Sequence, residues 1–490
     1  MDPEKMARAM ARWWQTINEK DDDPTAANPM LYGPLHGAKI SKANQYLATV
    51  ILCLSAVAAG TGLAWTAPVL PQLSNLENLN TTSLYATPEE GTWIASFLAI
   101  GAWCGAIPMG ILAEKIGRKK SAMVIGVTFT IGWAATVFAS KVGVLYFARF
   151  VIGIATGGSC VVTPMFISEF AEMSIRGLLG TCFQLFLTIG ILLVFVAGTL
   201  ISWVSLSWVC GVVPVVFVVG MFFVPESPTW LLKQERHTDA TLALKWFWGK
   251  YCDANAAIQE IQNDLEASGG SGTIRDLLRN PTNRKGFIIS IMLMFFQQFS
   301  GINAVIFFTV DIFQMAGSTL NPNYCSIIVG VVQVLMTFAA AALVERAGRK
   351  ILLIQSSAIM CLCLTVLGIY FKIKDAGTDV SAFGLVPLVS LVLFIISFSL
   401  GYGPIPWMMM GELLAPEVKG IASSIVVLFN WTSVFIVTKT FPLLLTSWGN
   451  DITFWIFAVV MVIGTIYGFK ELFETKGKSN AQIQLMLSSK

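Results

Sequence analysis

The stretch ILAEKIGRKK, Ile111–Lys120, ends a long apolar run with a burst of charge, and ALVERAGRKI, Ala342–Ile351, repeats its Glu-x-x-Gly-Arg-Lys order. Both phrases follow runs of about 20 apolar residues, the length that crosses the hydrocarbon core of a bilayer. The whole 490-residue chain has this character: 55% of its residues are hydrophobic, 12% are charged and the mean hydropathy is +0.70. That composition is wrong for a set of soluble domains and right for a chain whose solvent is mostly lipid. Twelve apolar runs stand out, at 46–70, 91–113, 121–140, 144–168, 178–200, 203–224, 286–309, 324–344, 351–371, 383–410, 421–445 and 452–470.

The charges between the runs orient the chain. With the N-terminus inside, the segments on the cytoplasmic side carry 27 of the 32 Lys and Arg residues, and the opposite loops carry only Lys141, Lys372 and Lys374. Positive flanks are retained in the cytoplasm, so both termini are expected there. The expected organisation is an N-terminal tail (1–45), a six-helix bundle (46–224), a cytoplasmic linker with short helices (225–285), a second six-helix bundle (286–470) and a C-terminal tail (471–490). No apolar stretch precedes residue 46, so the first span is expected to act as the insertion signal. Asn80-Thr81-Thr82 is a glycosylation sequon in the external loop 71–90. A net charge of +3 recruits neither nucleic acid nor an acidic substrate. The nine cysteines show no CxxC or metal-ligand spacing.

The repeated phrase belongs to a longer series. Glu114, Gly117 and Arg118 follow the second run; Glu169 and Arg176-Gly177 follow the fourth; Pro225-Glu226-Ser227-Pro228 follows the sixth. In the second half Glu345, Gly348 and Arg349 follow the eighth run, Glu412 precedes Lys419-Gly420, and Glu474-Thr475-Lys476-Gly477 follows the twelfth. Matched positions in matched order imply two halves related by an axis along the membrane normal. Any one of these charges would serve as a topology anchor, but an anchor has no need of an acid beside Gly-Arg. Opposite charges on neighbouring helix ends can pair when the ends are close and separate when they part, which makes a conformational latch.

Between their ends the runs contain no Asp or Glu. A proton-coupled carrier needs an embedded carboxylate and a channel needs charged rings or a filter, so both readings are disfavoured. Uncharged hydrogen-bonding groups take their place: Gln184, Gln297, Gln298, Asn303, Gln333 and Asn430. A single amide in lipid is usually helix glue, but the cluster in QQFSGIN surrounds Gly301, where a helix can bend. Amides with Trp407 and Trp431 suit a neutral polyhydroxylated ligand, because donors and acceptors meet hydroxyls and an indole covers a ring's C–H face. SLGYGPIPW at 399–407 loses backbone donors at Pro404 and Pro406, so a discontinuous helix is expected there. Arg149 and Lys439, near the ends of their runs, can snorkel or line an aqueous path. Gly153 and Gly157 form a GxxxG suited to close helix packing.

The motifs GILAEKIGRKK, RFVIGIATGG, PMFISEFAEMSIRG, PESPTWLL, QQFSGIN, VERAGRK, GPIPW and NWTSVFIV, in that order, resemble the sugar porter family of the major facilitator superfamily over about residues 46–480. AWTAPVLPQL, MMMGELLAP and FIVTKTFP are most similar to the insect facilitated trehalose carriers within it. The resemblance implies an all-α membrane protein of twelve helices in two pseudo-symmetric bundles that rock about a central sugar held by Gln184, Gln297, Gln298, Asn303, Gln333 and Trp407. It implies an inner network of Glu114, Arg118, Glu169, Arg176, Glu345, Arg349, Glu412 and Lys419. Arg149 matches an arginine that pairs in proton-coupled members with a first-span aspartate, and here Thr61 stands near that place. Phe307, Phe308, Ser399, Gln333 and Phe473 depart from the usual hexose-carrier residues. The expected activity is passive uniport of a sugar, trehalose before glucose, in the cell membrane, with no cofactor, no metal and no obligate protein partner. A hexose facilitator, a proton-coupled symporter and a non-transporting sugar sensor are the alternatives; an enzyme lacks a nucleophile–base pair or phosphate loop.

Overall fold

The computed structural model describes residues 41–74, 84–250, 252–267, 274–317, 320–415, 417–478 and 480–489. Asn80, the Gly-Ser run 268–273 and the first 40 residues lie outside the described residues, as does the side chain of Glu345. Among the described residues every long element is a helix, and twelve are long and apolar enough to cross a membrane. They run Ala43–Ser74, Pro88–Ile116, Arg118–Val137, Val142–Phe170, Arg176–Leu200 and Trp203–Met221 in the first half. Pro281–Phe307, Pro322–Val344, Arg349–Asp375, Val386–Leu413, Lys419–Trp448 and Asn450–Lys470 form the second. The expected runs coincide with these spans to within a few residues, because a lipid-facing helix must be apolar along its whole length. Large side chains such as Phe138, Phe223, Leu200 and Phe469 are exposed on the outside, where a bilayer would cover them.

Short helices at Pro228–Lys233, His237–Trp248, Ala254–Ala267 and Ile274–Arg279 fill the segment between the halves. A further helix, Asn480–Ser489, lies in what the sequence offered only as a tail. It packs through Ile483 and Leu487, and Gln484 Nε2 donates to Leu413 O at 3.0 Å. These elements share one end of the molecule with the Gly-Arg-Lys phrases, here called the basic end; the other is the far end.

Close helix approach holds the first half together. A Cβ on Gly153 would stand 2.2 Å from Leu98 O, and one on Gly105 would stand 2.2 Å from Ile154 O, so spans 2 and 4 meet backbone to backbone. Gly60 and Gly190 do the same for spans 1 and 5. Lipid offers little hydrophobic drive between helices, so this close packing is the main attraction available.

The halves touch through the second and eleventh spans, the fifth and eighth, and the first and seventh. At the far end Thr66 Oγ1 donates to Phe307 O at 3.2 Å and Lys439 Nζ donates to Thr92 Oγ1 at 2.7 Å. Among the described residues, every ion pair stays within one half or involves the segment between the halves.

Candidate functional site

Two broken helices build the centre. The helix Pro281–Gln298 stops, the chain turns through Gly301 at φ 87°, and Ile302–Phe307 resumes the seventh span. In the tenth span Val386–Leu400 and Ile405–Leu413 are separated by a turn carrying Gly401 to Pro404. The turn frees carbonyls that need donors in a dry interior. Gln297 supplies them: its Nε2 reaches Tyr402 O at 2.7 Å and Gly403 O at 3.0 Å. Its Oε1 accepts from Asn430 Nδ2 at 3.1 Å and Gln298 Nε2 at 3.2 Å. Gln298 Oε1 in turn accepts from Asn303 Nδ2. The amide cluster read from QQFSGIN is thus one hydrogen-bonded chain joining spans 7, 10 and 11.

Within that chain the residues divide by how much bonding capacity is spent. Gln297, 3% exposed, has its donors and its acceptor engaged by the protein, which makes it a strut between the two helix breaks. Gln333, 2% exposed, has an Oε1 with no hydrogen-bond partner among the described residues. Ser399 Oγ and Trp431 Nε1 are buried in the same condition. Trp407 and Gln184 are half-buried, each keeping an accessible edge. A buried polar atom without a partner costs free energy that a ligand or water can recover. Ser399 and Trp431 were visible in the sequence as a departure and as an aromatic face; their unspent polar atoms required the fold.

Arg149 is fully buried. It donates from Nε to Ile94 O at 3.0 Å and from Nη1 to Gly62 O at 2.6 Å, and its Cζ lies 5.6 Å from the Trp65 ring centroid. Thr61 Oγ1 spends its proton on Ala58 O. Backbone dipoles and an indole face engage part of the guanidinium, while its Nη2 is buried without a hydrogen-bond partner among the described residues.

The two charged phrases fold into matching networks at the basic end. Arg118, 1% exposed, binds Glu169 at 2.8 Å, Glu114 at 2.7 Å and Ala113 O at 3.0 Å. Arg349 binds Glu412 at 3.2 Å and Val344 O at 3.4 Å. Gly117 and Gly348 precede these arginines at φ 103° and φ 89°, and a Cβ at either would strike a glutamate side chain at 2.2 or 2.5 Å. Those glutamates, Glu226 and Glu474, cap the third and ninth spans. Glu226 accepts from Arg118 N and Lys119 N at 2.9 Å each, and Glu474 from Arg349 N at 2.9 Å and Lys350 N at 3.1 Å. Carboxylates suit helix N-termini because unpaired N–H groups and the helix dipole both favour negative charge there. Burial pushes the Glu474 carboxyl up, but the N–H groups of Arg349, Lys476 and Lys350 outweigh it and hold it below the ordinary value. Neither glutamate was among the expected network residues, although both stand at matching places in the repeat.

Among the described residues, Arg176 and Lys419 form no direct ion pair, although Lys419 still feels the charge of Glu412. Arg176 donates to Ala171 O at 3.2 and 3.3 Å and Lys419 to Gly411 O at 2.8 Å, so both close the ends of neighbouring helices. The copies also differ: Ser227 Oγ donates to Glu169 Oε2, whereas Thr475 Oγ1 and Glu412 Oε2 are buried without a hydrogen-bond partner among the described residues.

Twelve spans in two like halves, with helix breaks and a buried amide chain at the centre, define a membrane carrier of the major facilitator type. The family described as "Sugar (and other) transporter" matches residues 48–487, and the chain belongs to it. It is 39% identical to a facilitated trehalose transporter of Culex quinquefasciatus over 444 residues, covering 90% of this chain and 85% of that one. It is 38% identical to a facilitated trehalose transporter of Polypedilum vanderplanki, covering 90% and 87%. Of the similar transporter from Anopheles gambiae it spans 55%. Among solved structures, the partially occluded inward-open conformation of the xylose transporter XylE from E. coli matches with a TM-score of 0.75 and 25% identity, over 89% of this chain and 100% of that one.

Proposed function

We propose that this sugar transporter is a passive uniporter that moves trehalose by alternating access, with its basic end in the cytoplasm of a cell whose plasma membrane it spans. The observations that carry the reading are the buried chain of uncharged amides, Gln298, Asn303, Gln297 and Asn430, and the unspent polar atoms on Gln333, Ser399 and Trp431. Such a lining matches the hydroxyls of a neutral sugar without asking for a charge. Gln184 and Trp407 complete the sugar's surroundings, the indole as a face for a pyranose ring. Uniport is supported by Arg149, whose partners are carbonyls and Trp65 rather than a titrating acid. Trehalose is supported by the similarity to facilitated trehalose transporters. The networks around Arg118 and Arg349 act as stays that keep each half rigid while it rocks.

Counterflow of labelled trehalose and labelled glucose in proteoliposomes, with and without a pH gradient, tests this. Trehalose is expected to accumulate transiently against unlabelled trehalose, unaffected by a protonophore. Preferred counterflow of glucose would make the chain a hexose carrier, net sugar uptake driven by the pH gradient and abolished by the protonophore would make it a symporter, and no counterflow of any sugar would leave a sensor.

A further inference from the structure

Lys439 lies near the far end of the eleventh span, yet its ammonium group serves the other half of the molecule. Nζ stands 2.7 Å from Thr92 Oγ1 and 3.8 Å from the centroid of the Trp93 ring, both on the second span. The receptor for this cation is set before it arrives. Thr92 Oγ1 gives its own proton to Glu89 O at 2.8 Å, which leaves an oxygen lone pair for the ammonium. Trp93 packs against Phe97 with ring centroids 5.6 Å apart, and Phe97 stacks on Tyr146 at 5.2 Å, so the indole face is braced from behind. The first turn of that helix is fixed by a capping box in which Thr87 N donates to Glu90 Oε2 at 2.8 Å and Glu90 N donates to Thr87 Oγ1 at 3.3 Å.

We propose that Lys439 is a lock between the two halves: its ammonium, seated on Trp93 and Thr92, holds the far ends together and sets the resting bias toward the conformation open at the basic end. A lysine that only sought water would extend along its own helix toward the membrane surface. Here it gives up part of its hydration for an aromatic face and a hydroxyl on another element, and a cation over an indole is strengthened by that desolvation. The other far-end hydrogen bond between halves among the described residues, Thr66 to Phe307 O, ends on a backbone carbonyl. When the far ends part, Nζ must leave both partners at once. An interaction made in one conformation only shifts the equilibrium by its full strength. The lock rests on the carrier reading, since it presupposes two states.

The test uses the full chain in nanodiscs without sugar, with spin-labelled unnatural side chains at positions 140 and 447, exposed at the far ends of opposite halves. Pulsed EPR of the parent chain is expected to give a mainly short separation. Lys439→Met is expected to raise the ratio of long to short separations about tenfold, a shift of about 1.4 kcal/mol. Lys439→Arg keeps the cation and is expected to stay near the parent. A combined Thr92→Val and Trp93→Ala variant removes the receptor from the other side and is expected to match Lys439→Met, which also covers a Lys439→Met chain that fails to fold. Parent-like distances in the folded Lys439→Met chain or in the receptor variant would overturn the proposal, as would Lys439→Arg behaving like Lys439→Met. Because no sugar is present, the result is independent of whether trehalose is the cargo.

Discussion

Gln297 and Gln333 are both buried amides, and the fold gives them opposite consequences. Leucine at 297 strands the carbonyls of Tyr402 and Gly403 and the amides of Gln298 and Asn430. A stranded buried group costs about 1–3 kcal/mol, so Gln297→Leu is expected to lower thermal stability in detergent, with transport lost as a result. Gln333→Leu removes an oxygen with no hydrogen-bond partner among the described residues, so the protein is expected to be as stable as the parent or more so. Its effect should appear in transport instead, as a rise of about two- to tenfold in the half-saturating trehalose concentration. That is the discrimination one lost hydrogen bond to a sugar hydroxyl supplies, about 0.5–1.5 kcal/mol. Equal half-saturation in the two proteins would place Gln333 outside the sugar site. The sequence set the QQFSGIN cluster apart from the single amides but could not tell a strut from a free amide, because the spending of their hydrogen bonds depends on which carbonyl the tenth span leaves open.

Helix contacts and helix caps carry the next scale. Gly153→Leu would force a side chain into the space occupied by Leu98 O, parting spans 2 and 4 along their length. Loss of a monodisperse, cooperatively melting protein is expected, and normal melting would show that the close approach is dispensable. Glu474 caps the ninth span with a carboxyl held below its ordinary value by three backbone N–H groups. A depressed folded-state value means that the cap's contribution is present above the ordinary glutamate pKa, about 4.3, and is lost as pH falls through the folded value. Glu474→Gln is therefore expected to melt lower than the parent near neutrality, with the difference shrinking on acidification below about pH 4. A constant difference across that range would remove the charge from the explanation. The glycines beside these caps, Gly117 and Gly348, could be read from the repeated Gly-Arg-Lys, but their capping glutamates arrive from more than 100 residues away.

At the scale of the molecule, matching phrases became matching networks. Arg118 holds two carboxylates and a carbonyl, and Ser227 completes Glu169, whereas Glu412 keeps an oxygen without a hydrogen-bond partner among the described residues. Breaking a buried ion pair costs about 3–5 kcal/mol when one partner is left behind. Arg118→Ala is accordingly expected to destabilise the protein, while span orientation, carried by many basic residues, stays intact. The melting temperature of the variant beside that of the parent checks this; an unchanged melting temperature would refute it. As both networks lie within their own halves, they can stay made while the halves move.

Span number, the two-half repeat and the break points at QQFSGIN and SLGYGPIPW were legible in the chain. Apolar length, recurring charge order, glycine and proline act over a few residues and need no neighbour to be understood. Which groups share a hydrogen bond was decided by the tertiary structure alone. It turned Gln297 into a strut, set Arg176 and Lys419 on backbone carbonyls, brought in Glu226 and Glu474, and seated Lys439 on Trp93 across the boundary between the halves. The ILAEKIGRKK phrase shows the division most plainly. Its charges and glycine mark where a helix ends and another begins, but Arg118 finds Glu169, and its backbone finds Glu226, only after six helices have packed into one bundle.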